Sequence, residues 1–423
     1  IGNLITELLG PEEMARALYP VFALKREHGI PVICAEHNDI PGISRGLAEA
    51  LAAADIRYFA PGLPDYFRWG QDYHTFWDED RVAPGGRPHA FWWESPSGER
   101  ILFWYGAQGA GGPVDVRMPA LLKELERLEE TDYPFDILRY QVRGGERDNS
   151  PYRRGFADTC RQWNARYAYP RLEMSVNSRF FAELERQLPP ETPVFRGELP
   201  GTDYCVGASC TAYASGINRL THDRLLTAER LATLARQLTD WYYPQEELEE
   251  AYHCTLMNDE HCWGLAHPVG PGQDAAIAQH CEFAFRAAAL AHDVTMKAMY
   301  ELTDRVGLRE DGFHVLVFNP LDRPRTDVAA VMAVPFDPCD RPLRPRPGDP
   351  QDPEDPGAIL MNYPVSNHGI PRIPAEILRR GARLVDVEAG EEAPCETVVL
   401  DSPDTPEPYA GYRVNVERHD PGM

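Results

Sequence analysis

Residues 30–59 read "IPVICAEHNDIPGISRGLAEALAAADIRYF", and the fold turns on this stretch. "IPVICA" is a short continuous apolar run, suited to a strand buried on both faces. "RGLAEALAAAD" has the spacing of an amphipathic helix, and "IRYFAP" is a second strand-like run. Strand, helix, strand over so short a distance predicts a parallel sheet. Between the first strand and the helix stand His37, Asn38, Asp39, Ile40, Pro41 and Gly42. At a strand end residues i and i+2 face the same way, so His37 and Asp39 are expected to share a side. Parallel α/β folds place their ligands at the carboxyl ends of strands, which makes Asp39 a candidate for chemistry. The competing reading of Asp39 is a cap on the following helix; that of His37 is strand-end packing.

On the N-terminal side, "PEEMARALYPVFALKREHG" (residues 11–29) has helical spacing, an acidic first turn, a basic last turn and a stopping glycine. C-terminal to the opening stretch, "HAFWWESPSG" and "ERILFWYGA" read as strand, turn, strand. "PALLKELERLEE", "GFADTCRQWNARY" and "NSRFFAELERQL" read as helices, and "FDILRYQV" and "LEMSV" as strands. Beyond about residue 205 three long helical segments follow, the second running from Pro244 to Gly264, and their short links suggest a bundle. After residue 310 the pattern becomes β, interrupted by "DPCDRPLRPRPGDPQDPEDPG" (residues 337–357), too rich in Pro and Asp to build a core.

At 423 residues the chain is long enough for two or three domains, since single cores rarely grow past roughly 250–300 residues. Its 42 Lys and Arg against 66 Asp and Glu give a net charge of −24, which disfavours a nucleic-acid partner. Nine scattered cysteines form no C-x-x-C pair; they are expected to be mostly free thiols in a reducing, cytoplasmic compartment. No run of about 18 apolar residues exists, so no membrane partner is expected. Both ends are expected to be cut from a longer protein, since the first residues read as a helix already under way and the last as strand-like alternation.

Two further segments carry candidate chemistry. "MNDEHCWG" (residues 257–264) ends an amphipathic helix in consecutive polar residues and then Cys, Trp and Gly. His261 there is a credible zinc ligand, because neutral imidazole suits zinc; a histidine favoured by the helix dipole is the alternative. Asp148, after a glycine pair and before Asn149-Ser150-Pro151, is a candidate carboxylate or an ordinary turn residue. Trp69, Trp77, Trp92, Trp93 and Trp104 crowd one region and are read mostly as packing. No two of the 13 histidines stand four apart, so H-E-x-x-H and H-x-x-x-H are absent, as are G-x-S-x-G, the P-loop and G-x-G-x-x-G.

Together these segments resemble glycoside hydrolase family 38, the zinc-dependent retaining α-mannosidases, in its divergent bacterial branch. "HNDIPG" with "LAEALAAADIRYF" resembles the nucleophile segment. "DNSPYRRGFADTCRQWNARYAYPRLEMSVNSRFFAELE" resembles the acid/base segment. "TAERLATLA" with "MNDEHCWG" resembles the helical domain with its metal-ligand histidine, and "HVLVFNPLDRPRTDVAAV" the first strands of the C-terminal β domain. The resemblance implies three domains: an irregular (β/α) barrel-like catalytic domain over 1–200, a three-helix bundle over 201–308 and an incomplete β-sandwich over 309–423. It implies Asp39 as nucleophile and zinc ligand, Asp148 as general acid/base, and His261 as zinc ligand. Two more zinc ligands, a His-x-Asp pair, are expected before residue 1. The sequence departs from the family pattern at Asp203-Tyr204-Cys205, where more Trp is expected, and at Cys262, where Thr is common.

The implied function is retaining hydrolysis of an α-mannoside or related glycan, with no nucleic-acid or membrane partner and with a homo-oligomer left open. Retention needs two carboxyl groups about 5–5.5 Å apart. The alternative is an inactive carbohydrate-binding relative with an incomplete metal site. A metal-dependent deacetylase is disfavoured by the missing H-x-x-x-H. With two protein ligands on the metal, the chain by itself is expected to be weak or inactive.

Overall fold

The alternation of apolar residues sets the architecture. The computed structural model describes residues 3–37, 43–61, 89–104, 122–123, 125–126, 128–130, 133–140, 155–199, 210–263, 269–307, 314–326, 334–336, 372–374, 384–386 and 389–395. The chain divides into two compact units, Ile1–Val306 and Gly307–Met423.

In the first unit the predicted N-terminal helix is two short ones, α1 (Pro11–Arg16) and α2 (Tyr19–His28), broken at Ala17–Leu18 just ahead of Pro20. A left-handed Gly29 ends α2, donating to Lys25 O while Ile30 donates to Leu24 O. Strand β1 (Cys34–His37) leads through helix α3 (Arg45–Ala53) to strand β2 (Tyr58–Pro61). The hairpin β3 (Ala90–Glu94) and β4 (Arg100–Trp104) follows, then α4 (Gly155–Arg166), α5 (Asn177–Gln187) and the short β5 (Val194–Phe195). The strands lie in the order β1-β2-β4-β3-β5, with every pair parallel except β3–β4. The βαβ expectation for residues 30–61 is therefore met.

Successive residues of each strand enter opposite cores, as a pleated strand requires. Phe59, Phe91, Trp93, Ile101 and Phe103 pack with α1 and α3. Tyr58, Ala60, Ala90, Leu102 and Trp104 pack with Phe181 and Leu184 of α5. Trp93 and Trp104 are fully buried, as packing residues should be, while Trp69 and Trp77 lie outside the described residues. The predicted strand "LEMSV" is not a strand: Leu172 exchanges two hydrogen bonds with Asn164 of α4, which occupies its backbone groups.

Three long helices complete the unit: α6 (Ala212–Leu238), α7 (Gln245–Asn258) and α8 (Pro271–Thr303). Leu225, Ala228 and Ala232 of α6, Leu248, Ala251 and Tyr252 of α7, and Ala291 and Val294 of α8 share one core. Helix α7 stops at Asn258, six residues short of the predicted Gly264, and the polar tail of the motif turns away as a corner.

In the second unit, Val334–Phe336 pairs in parallel with Arg372–Pro374, and Leu384–Val385 pairs antiparallel with Glu392–Ala393. Residues 314–326, expected to begin the β domain, contain no strand. Among the described residues of the chain, no helix is long and apolar enough to cross a membrane.

Candidate functional site

Parallel strands β1, β2 and β4 all end at one edge of the sheet, at His37, Pro61 and Trp104. His37 shares its strand face with Ala35, whose core includes Phe59, and its ring meets Phe59 edge-on at 5.6 Å. Its Nδ1 is buried and has no hydrogen-bond partner among the described residues. Burial and the neighbouring charge of His261 pull the His37 pKa down to about 4, so the ring is neutral at pH 7. Asp39 and Asp148 lie outside the described residues. Of Asp39, Asp148 and His261, only His261 is described.

Glu36 faces the opposite side of β1. Its Oε2 accepts from Arg139 Nη2 and from Asn177 Nδ2, both at 2.7 Å, while Arg139 Nε donates to Asn177 Oδ1 at 3.0 Å. Burial lowers the pKa of Arg139, against the pull of Glu36. This triad ties β1 to the N-terminus of α5.

The 258–263 corner is held from several directions. Asn258 donates to His280 O at 3.0 Å, and His280 Nε2 lies 2.8 Å from Asn258 O. The N-terminal segment pairs with the corner: Ile5 N donates to Asp259 O at 2.9 Å and His261 N to Asn3 O at 3.1 Å. Trp263 is buried against the His280 ring at 4.8 Å, and its indole donates to Thr211 Oγ1 at 3.0 Å. Asp259 is buried and lies 3.0 Å from His222 Nε2, while Asn218 Nδ2 donates to its other oxygen at 2.9 Å. Glu13 of α1 reaches the same cluster, 3.9 Å from His222 Nδ1. Burial raises the pKa of Asp259. Burial lowers that of His222, but Asp259 and Glu13 overcome it, and the net shift is upward. Glu13, Asn218 and His222 were not singled out from sequence. The available signal was Asn218 and His222 at i and i+4, in helical register with the buried Leu225.

This framework presents Glu260, His261 and Cys262, whose ligand atoms all lie within 4.8 Å of one another. Glu260 Oε1 lies 2.6 Å from His261 Nδ1, and its other oxygen accepts from Cys262 N at 2.8 Å. Burial raises the Glu260 pKa, but the His261 and Cys262 hydrogen bonds prevail and hold it below the usual range. Cys262 Sγ lies 3.5 Å from His261 Nε2 and 3.7 Å from Nδ1. Cys34, Cys160, Cys254 and Cys281 are free cysteines.

Residues 24–198, which include β1 and the strand edge, match the model of the "Glycosyl hydrolases family 38 N-terminal domain". Over these residues the chain is similar to this family. No curated protein matches it. Among solved structures, the chain is similar to an alpha-mannosidase from Enterococcus faecalis V583, at 18% identity and a TM-score of 0.52, over 72% of this chain and 33% of that one. It is also similar to a glycosyl hydrolase family 38 protein from Enterococcus faecalis, at 16% identity and a TM-score of 0.48, over 70% and 30%. The chain thus spans about a third of the length of these solved relatives. At such identity the likeness concerns the fold, a mixed α/β unit with a mainly parallel sheet.

The similarity to family 38 carries an expectation of zinc, and Glu260, His261 and Cys262 offer donors that fit one. Imidazole nitrogen, thiolate and carboxylate are the ligand types zinc takes.

Proposed function

We propose that the chain is the catalytic part of a retaining, zinc-dependent glycosidase resembling α-mannosidases and acting on an α-mannoside or related glycan. The observation that carries this reading is the family 38 match over residues 24–198, a span that includes both Asp39 and Asp148. In this reading Asp39 attacks the anomeric carbon, and Asp148 protonates the leaving oxygen and later activates water. Glu36, fixed by Arg139 and Asn177, would hold the strand that leads to Asp39. A zinc ion, held by Asp39 and His261 in the family pattern, would polarise sugar hydroxyls as a Lewis acid. The proposed division keeps a barrel-like α/β domain over 1–200, a three-helix bundle over 201–308 and a β-sandwich part over 309–423.

The test uses the protein as its whole gene encodes it, loaded with zinc. An aryl α-mannoside should be cleaved, with the α-anomer seen first by NMR. Asp39→Asn should lower kcat by about 10³-fold or more, with an unchanged melting profile. A folded, zinc-loaded protein inactive towards α-mannosides, α-glucosides and α-galactosides would overturn the enzymatic reading in favour of a carbohydrate-binding relative.

A further inference from the structure

We propose that the first unit binds an amphiphilic cation, an apolar chain or ring carrying an ammonium group, in a groove between α1–α2 and α3. The inference is independent of the glycosidase reading, because no residue it uses belongs to the candidate catalytic set.

The groove has a volume of about 830 Å³ among the described residues, within the range of about 300–1,000 Å³ that small-molecule sites occupy. One wall is Met14, Leu18 and Phe22, spaced four apart so that they line up along α1–α2. The other is Gly46, Ala50 and Ala53 of α3, whose small side chains leave a depression opposite that wall. The walls touch at the Gly46 end, where a Cβ would meet Met14 at 3.5 Å. Tyr19 at 52% and Phe22 at 41% stay exposed along the groove, and a ligand with an apolar body would remove that surface from water. Charge decides the head group. The charged lining residues are Glu7, Glu49 and Glu198, and no Lys, Arg or His lines the groove among the described residues. The backbone N–H groups of Ser97 and Arg45 hold the Glu49 and Glu198 carboxylates in place, and each carboxylate keeps further lone pairs. Arg45 and Lys25, on the flanking helices, direct their own charges to the carbonyls of Glu94, Ser95 and Ala54. Two hydroxyls complete the lining: Thr6 Oγ1 accepts from Ser44 N at 2.8 Å, and Ser44 Oγ is buried with no partner among the described residues. Carboxylates and hydroxyls together suit a head that only donates, as an ammonium does, whereas an anionic head meets like charge. The net charge of −24 adds to that preference at long range.

Isothermal titration calorimetry of the protein as its whole gene encodes it tests the groove without reference to turnover, using octylammonium, octanol and octanoate as probes of equal chain length. Octylammonium should bind as one equivalent, about 10-fold more tightly than octanol, with octanoate weaker still. The double variant Glu49→Gln with Glu198→Gln keeps an acceptor oxygen for each backbone N–H and removes both charges. It should bring octylammonium to the affinity of octanol. Ala53→Phe, at an exposed position of α3, fills the groove and should abolish uptake of all three probes with an unchanged melting profile. Octylammonium that binds no more tightly than octanol or octanoate overturns the proposal. Uptake that neither variant changes overturns it too, because the probe then adsorbs elsewhere. No uptake of octylammonium is equally fatal: another part of the protein covers the groove, or a second copy does if sedimentation gives twice the chain mass.

Discussion

His222→Leu is the substitution with the largest expected effect on the frame behind the 258–263 corner. The imidazole is the cation facing two buried carboxylates, Asp259 at 3.0 Å and Glu13 at 3.9 Å. Removing one partner of a buried pair leaves uncompensated charge and costs about 3–5 kcal/mol. With a urea slope of about 3 kcal/mol/M for a unit of this size, the midpoint should fall by about 1–1.7 M at pH 7.5. All eight tryptophans lie in residues 1–306, so tryptophan fluorescence follows the first unit alone. The loss should depend on pH. Asp259 already has a raised pKa, from burial first, and His222 is what holds it down. Without His222 it climbs further, so the folded variant takes up a proton that the unfolded chain does not hold at the same pH. Stability of the variant therefore recovers on acidification, and the deficit should be smaller at pH 5 than at pH 7.5. In the wild type both raised pKa values act in one direction. The His222 contribution is complete below its unfolded pKa near 6.5 and fades as pH rises through its higher folded value. Adding Asp259→Asn to His222→Leu should return most of the loss at pH 7.5, because an amide needs no counter-charge. A deficit below about 1 kcal/mol, or one identical at both pH values, would refute the buried ion pair.

Two other substitutions test the sheet and its supports. Arg139→Leu takes the guanidinium away from Glu36 and should cost about 3 kcal/mol, with roughly half regained when Glu36→Gln is added; urea midpoints of the three variants decide it. Phe181→Ala empties a fully buried position stacked on Tyr58 at 4.9 Å and should cost about 3–5 kcal/mol, while Tyr58→Phe, which loses only the 2.6 Å bond to Glu185, should cost about 1 kcal/mol in the same assay.

Much of the first unit was legible in the chain because its signals are local. The continuous apolar runs before His37 and through Tyr58–Ala60 require burial on both faces, and that requirement already implies a parallel sheet with a core on each side. Helices α6 and α8 carry their apolar residues at helical spacing for many turns, so tertiary context had little to override. The motif around His261 stood out because a solvated helix face does not end in Cys-Trp, and Trp263 is indeed buried. Errors fell where a local pattern was weak or had a competitor. "LEMSV" has strand composition, but Asn164 takes the backbone bonds of Leu172. Helix α7 keeps helical spacing to Gly264, but Asp259 turns inward to His222 and Asn218, and that buried pairing outweighs two more helical turns.

Sequence alone therefore determined the alternation of elements, the two-faced sheet and a short roster of chemical residues, because these follow from spacing along one chain. Only the tertiary structure decided the strand order β1-β2-β4-β3-β5, with its single antiparallel pair. It alone set the N-terminal segment, at Asn3 and Ile5, against the 258–263 corner and Glu260 and Cys262 around the His261 imidazole. Contacts between residues more than 200 positions apart depend on how two separate cores close on each other, and no local periodicity encodes that closure.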